Sequence, residues 1–251
     1  GHDHLGHGKS LPEGGTPVYF GDGNTWNTVV DDIYILHQRL KQRYPDVPLC
    51  IMGHSMGSFL TRTYLIRYPG TVKAAVIMGT GWQPRAAITG GLALANAIAA
   101  VSGENATSEL VTELAFGSYN KLFAPNRTKV DWLSADESNV DDYIADPLCG
   151  ADATVGLFRQ MLHGIRFNQR QSHLRQMDRE MPVLFVAGDK DPVGNCGKGV
   201  RQTYDAFRAA GMRDCTLKLY PGLRHEILNE KAYTADITKN IEAWLLSRLE
   251  K

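Results

Sequence analysis

The chain carries no excess of charge: 27 Lys and Arg are balanced by 27 Asp and Glu, and no Lys/Arg-rich run interrupts the 251 residues. There is no basic field of the kind that draws a protein to nucleic acid. Cysteine is scarce, with only Cys50, Cys149, Cys196 and Cys215 and none in CxxC spacing. A chain this long buries a sizeable core without covalent staples, so the four read as free thiols of a reducing, cytoplasmic compartment. No initiator Met and no strand-like run precede Pro17, so the lack of a secretion signal excludes nothing. No clean membrane span is present either. The longest uncharged stretch, 86–103, has the length for one. Thr89, Gly90, Gly91, Asn96 and Ser102 interrupt it and much of the rest is Ala, so it reads as a buried or interfacial helix. Internal repeats and low-complexity segments are absent. What remains, 43% apolar and 22% charged residues, is the composition of an ordinary globular enzyme.

Short apolar runs alternate with amphipathic helical patterns, which predicts βα units and a mostly parallel sheet flanked by helices. Residues 49–52, 72–78 and 183–187 read as buried strands, and the period-two alternation of 215–220 as an edge strand. Trp26, Val29, Val30, Ile33, Leu36 and Leu40 fall on one helical face, as do Ile237, Ile241, Trp244, Leu245 and Leu249. Val200, Tyr204 and Phe207 mark a further helix that ends near Gly211. Between the second and third strands, residues 79–182 number about a hundred, where a parallel crossover needs roughly a dozen. Most of that stretch reads as an inserted helical subdomain, with helical patterns at 86–103, 131–143 and 154–167.

The strongest chemical signal is Gly53-His54-Ser55-Met56-Gly57. This G-x-S-x-G follows a strand and precedes a helix bearing Phe59, Leu60, Tyr64 and Leu65, the context in which the motif lifts a serine hydroxyl above a sheet. The two glycines are expected to give strand and helix room to approach. The Met56 N–H, at the helix start, is placed to donate to an oxyanion. A serine needs a base and an orienting acid, arriving in the order Ser, acid, His, each in a loop after a later strand. Gly188-Asp189-Lys190-Asp191 and Gly222-Leu223-Arg224-His225 occupy those places. His225 is the best-placed histidine, since His37 lies in a helix, His54 inside the elbow, and His163 and His173 in the insert.

These segments, with Asp3-His4-Leu5-Gly6-His7-Gly8-Lys9-Ser10, resemble the monoacylglycerol lipase and lysophospholipase branch of the α/β-hydrolases, a serine aminopeptidase-like family. The resemblance covers essentially the whole chain. It implies an α/β-hydrolase fold with residues 1–82 and 178–251 as the core domain and 83–177 as a helical cap or lid. It implies esterase or lipase chemistry without cofactor or metal. It also implies Ser55 as nucleophile, His225 as base, and Asp191 rather than Asp189 as acid. Gly8-Lys9-Ser10 lacks the upstream glycine and strand of a phosphate loop. His2, His4 and His7 beside Asp3 are read as part of a tight turn rather than a metal site. Family members have strands and an oxyanion loop before this turn that are not seen here. The strand at 49–52 is therefore expected at an open sheet edge, with a tendency to self-associate.

The expected substrate is a small ester or lipid, bound between the sheet's C-terminal ends and the cap. His54, Trp82, Leu92, Leu94 and Ile98 are candidate pocket residues, although ordinary core packing uses the same residue types. Peripheral membrane or micelle contact through the cap is a further expectation. Two other readings stand beside ester hydrolysis. One is amide or peptide hydrolysis on the same triad, for which no site for a charged amine is visible. The other is an inert ligand-binding protein lacking its second oxyanion donor. Dehalogenases and epoxide hydrolases place Asp where Ser55 stands.

Overall fold

The computed structural model describes residues 1–249. Its four strands lie parallel and side by side in chain order: β1 (Cys50–His54), β2 (Ala74–Met78), β3 (Val183–Gly188) and β4 (Cys215–Tyr220). Every residue of β2 and β3 is buried. Central parallel strands are covered on both faces, which is why these two read as unbroken apolar runs. β4 is an edge strand, as its alternation predicts. β1 is the other edge: among the described residues it pairs with β2 alone, and Met52 is 56% exposed.

Helices cover the sheet: α1 (Thr25–Arg43) and α2 (Met56–Arg67) before β2, α8 (Lys198–Ala209) between β3 and β4, and α9 (Thr234–Leu249) after β4. α2 is buried on nearly all sides, with sheet, α1 and insert around it. α1 departs from its predicted face. Trp26, Val29 and Val30 are buried, Ile33 and Leu36 only partly, and Leu40 is exposed. The far half of that apolar stripe borders an open cavity of about 320 Å³ beside β1, because among the described residues no strand flanks β1 on that side.

The insert holds α3 (Arg85–Ser102), α4 (Glu109–Phe116), α5 (Glu137–Ala145), α6 (Val155–Asn168) and the single turn α7 (Gln171–Leu174). α3 is the apolar stretch with the length of a membrane span. Here it buries Ile88, Leu92 and Ala95, spaced i, i+4, i+7, and exposes most of its other residues. α6 does not behave as a detached lid. Leu157 and Ile165 share one core cluster with Trp26, Phe59 and Leu60. Thr154, whose side chain caps α6 through Leu157 N–H, also donates its hydroxyl to the Val18 carbonyl, 2.9 Å away. α4 begins at Ser108, whose hydroxyl accepts from Val111 N–H. The sequence pattern did not predict this helix.

Candidate active site

β1 runs into Ser55, which sits at φ 54°, ψ −121°, and α2 starts at the next residue. A side chain in the left-handed region is strained by about 1–3 kcal/mol and persists only where its surroundings over-determine it. They do so here. The Ser55 N–H donates to Met78 O of β2 at 3.1 Å, and its carbonyl accepts from the Ser58 N–H at 2.9 Å and the Ser58 hydroxyl at 2.6 Å. Gly53 is required by packing: a Cβ there would lie 2.2 Å from Gly57 O and 2.3 Å from Thr61 Oγ1. Gly57 corrects the reading of two spacer glycines, since a Cβ on it would meet nothing within 4 Å. Its carbonyl, not its missing side chain, makes the close approach. Met56 is the first residue of α2, so its N–H has no intrahelical acceptor and is free for a ligand.

His225 lies in the loop after β4 and is 2% exposed. Its Nδ1–H donates to Asp191 Oδ2 at 3.0 Å; a carboxylate only accepts, which fixes that tautomer and leaves Nε2 with a free lone pair. Asp191, fully buried after β3, accepts on its other oxygen from the Val193 N–H at 2.9 Å. Asp189 faces elsewhere, taking the Gly222 N–H at 2.8 Å in the adjoining turn. Ser55 and His225 converge on the end of β2. Met78 O holds Ser55, and a Cβ on the next residue, Gly79, would stand 3.0 Å from His225 Cε1 and 3.0 Å from His54 Cδ2. Gly79, at φ 59°, is therefore the residue that lets both imidazoles reach the strand end. Among the described residues Ser55 Oγ makes no hydrogen bond to His225, a contact that in unliganded enzymes often tightens only on substrate binding.

His54 is placed otherwise than as an open pocket wall. Its Nε2–H donates to the His225 main-chain carbonyl at 3.0 Å, with the two rings 4.6 Å apart. Burial, then the neighbouring His225, push its pKa down to about 4. Burial does the same to His4, also to about 4. Both imidazoles are neutral in the fold and near 6.5 when unfolded. Above 6.5 they cost nothing. As pH falls from 6.5 towards 4 the unfolded chain takes up protons that the folded one refuses, so stability is lost across that window. His54→Asn should lose less of its urea midpoint between pH 7 and pH 4.5 than the parent does; equal losses would show that His54 is not a buried neutral base.

The cap contributes aromatic rings that the sequence reading did not single out. The Trp132 ring lies 5.2 Å from that of His225 and packs against Phe116 and Tyr119, at 6.1 and 5.3 Å. Burial, then the Asp191 charge, push the Tyr119 phenol up to about 12. Phe116 and Tyr119 also line an apolar cavity of about 390 Å³ between α3, α4 and α6, with Gly91, Leu94, Val111 and Ile165. No charged side chain lines it. Of the candidate pocket residues, Leu94 lies on this wall. Leu92 is in the main core, and Ile98 and Trp82 are half-buried outside the cavity lining. The Asp3–Ser10 segment is a tight turn: Asp3 Oδ2 accepts the Lys9 N–H and its main-chain oxygen the Ser10 hydroxyl, both at 2.9 Å.

Comparison with known proteins gives a consistent picture. A family model described as serine aminopeptidase, S33 matches residues 1–232. The chain is 31% identical to a monoacylglycerol lipase of Mycolicibacterium smegmatis, over 98% of this chain and 77% of that protein. It is 27% identical to the monoglyceride lipase of Mus musculus, over 99% and 73%. Among solved structures, a thermostable carboxyl esterase from Bacillus coagulans, in complex with glycerol, superposes with a TM-score of 0.89 at 25% identity, covering 98% of this chain and 79% of that one.

Proposed function

The chain belongs to the serine aminopeptidase S33 family of α/β-hydrolases and is a carboxylic ester hydrolase of the lipase and esterase kind; from that premise we propose that Ser55, His225 and Asp191 are its catalytic triad and that medium- or long-chain monoesters of glycerol-like alcohols are its substrates. The observation that carries the reading is the buried Asp191–His225 pair, which meets the strained Ser55 at the end of β2, with an apolar cavity whose Phe116 and Tyr119 pack on Trp132 next to His225. Ser55 Oγ attacks the ester carbonyl carbon and gives its proton to His225 Nε2. The carbonyl electron pair moves to oxygen, where the Met56 N–H receives it. Collapse breaks the bond to the alcohol oxygen, which leaves with the proton from His225. Water then repeats both steps on the acyl-enzyme and releases the acid. Asp191 keeps Nε2 facing the serine throughout.

The uncharged cavity favours an acyl chain over a peptide. A peptidase on this triad would need a carboxylate for the substrate amine, and the lining offers none. Hydrolysis of p-nitrophenyl esters of graded length, with fluorophosphonate labelling of Ser55, tests the reading; a preference for aminoacyl amides would overturn it. Leu94→Asp places a charge in the cavity wall and should cut turnover of long-chain esters by about tenfold or more while sparing acetate esters. Equal effects on both would mean that the acyl chain lies elsewhere. Val101, Leu110, Leu114 and Leu122 are exposed on the cap, which supports transient contact with a micelle or membrane surface. The exposed free thiols Cys50, Cys149 and Cys196 suit a reducing compartment.

A further inference from the structure

The loop that carries His225 grips one short cap segment, residues 131–136. Arg224 Nη1 donates to the main-chain oxygens of Asp131 and Ser134, the latter at 2.9 Å. The Glu226 N–H donates to Leu133 O at 2.8 Å. Glu230, 3% exposed, accepts the main-chain N–H of Ala135 at 2.8 Å and of Asp136 at 3.1 Å. Each residue of 131–136 except Trp132 is bonded to that loop. Trp132 is instead bonded to the cap, its N–H donating to Asn120 Oδ1 at 3.0 Å, while its indole meets the imidazole with ring centroids 5.2 Å apart and planes inclined by 39°. These five hydrogen bonds hold the segment against the loop, and their effect is to fix one indole against one imidazole.

Resting on the reading of His225 as base, we propose that Trp132 is a positioning residue that also stabilises the imidazolium, its π face attracting the charge that His225 acquires when Ser55 gives up its proton. The attraction is small for neutral imidazole and full in the transition state, so it accelerates chemistry rather than binding. The separation lies within the roughly 6 Å over which a cation is drawn to an indole ring. Other titratable groups around the imidazole are Asp191 on the loop after β3, His54 at the end of β1, Tyr119 on the cap and Glu226 next along the loop. The Arg224 guanidinium is turned to the Phe123 ring, 4.0 Å from its centroid.

A purely spatial role predicts the opposite pH response. If Trp132 only excluded water, its removal would make the imidazolium easier to form and move the acidic limb of kcat/KM to higher pH. If it stabilises the imidazolium, removal moves the limb to lower pH. The test is the pH profile of Trp132→Phe and Trp132→Leu on p-nitrophenyl acetate, with His225→Ala as reference and thermal melts to confirm folding. Expected are a KM within about twofold of the parent, a kcat lowered about three- to thirtyfold in Trp132→Leu and less in Trp132→Phe, and a limb that descends in the order Trp, Phe, Leu. A limb that rises or stays, or a kcat unchanged in Trp132→Leu, overturns the proposal while leaving His225 as base. Activity retained in His225→Ala removes both.

Discussion

Replacing Ser55 with Ala should lower kcat on a short p-nitrophenyl ester by about 10⁶-fold, the scale on which loss of a nucleophilic serine is felt. It should also abolish fluorophosphonate labelling, with the fold intact. The oxyanion donor and the cavity remain, so a residual rate above that of water alone is expected. Labelling that persists at another serine would remove Ser55 from the mechanism. The same site offers a second readout independent of chemistry. Ser55 stands at φ 54°, and Ala inherits that strain undiminished. Glycine adopts such backbone freely, so Ser55→Gly should unfold at a temperature a few degrees above Ser55→Ala, in keeping with relief of about 1–3 kcal/mol. An equal or lower melting temperature for the glycine variant would mean that the turn is not strained in solution.

The second large effect separates two aspartates only two positions apart. Asp191→Asn should reduce kcat by about 10⁴-fold, because an amide no longer holds Nδ1–H towards the carboxylate or balances the imidazolium. Asp191 binds His225 with one oxygen and the Val193 N–H with the other, so an amide leaves at least one of these contacts wrong. Asp189→Asn should cost less than about tenfold. Its single strong contact accepts the Gly222 N–H, and the asparagine carbonyl accepts equally well. Similar losses from both substitutions, measured as kcat on one short ester, would mean that the acid has been misassigned.

Much of the sheet was legible because its central strands are buried on both faces. Val183–Gly188 reads as six consecutive residues of apolar or small character, a run of strand length and too short for a buried helix. The elbow was legible because its geometry forces its composition, as the 2.2 Å contact of a Cβ at Gly53 makes plain. What escaped was tertiary in origin. Leu40 belongs to an apolar stripe by spacing yet is exposed, since burial depends on what lies opposite and among the described residues no strand flanks β1 there. Trp132 lay in a segment read only as helical pattern. The signal that could have marked it is an isolated Trp between Asp131 and Ser134, in a polar setting, with no helical partner of its own. Phe116 and Tyr119 sit in and beside a helix that periodicity does not reveal, and they matter through the cavity they line and through Trp132, whose ring meets His225. His54, a candidate pocket residue by sequence, is instead tied to the main chain of the loop after β4. Its hydrogen bond to the His225 carbonyl joins residues 171 positions apart, a pairing that no local pattern encodes.

β1 runs into Ser55, and among the described residues it pairs, like β4, on one side only. Amides along such a strand exchange with solvent through openings that leave the rest of the molecule in place, at a free energy below that of β2 and β3. Gentle warming or mild urea is expected to silence turnover while the helical signal is still nearly complete. An inhibitor bonded to Ser55 and reaching into the cap protects β1 out of proportion to the global stability it adds.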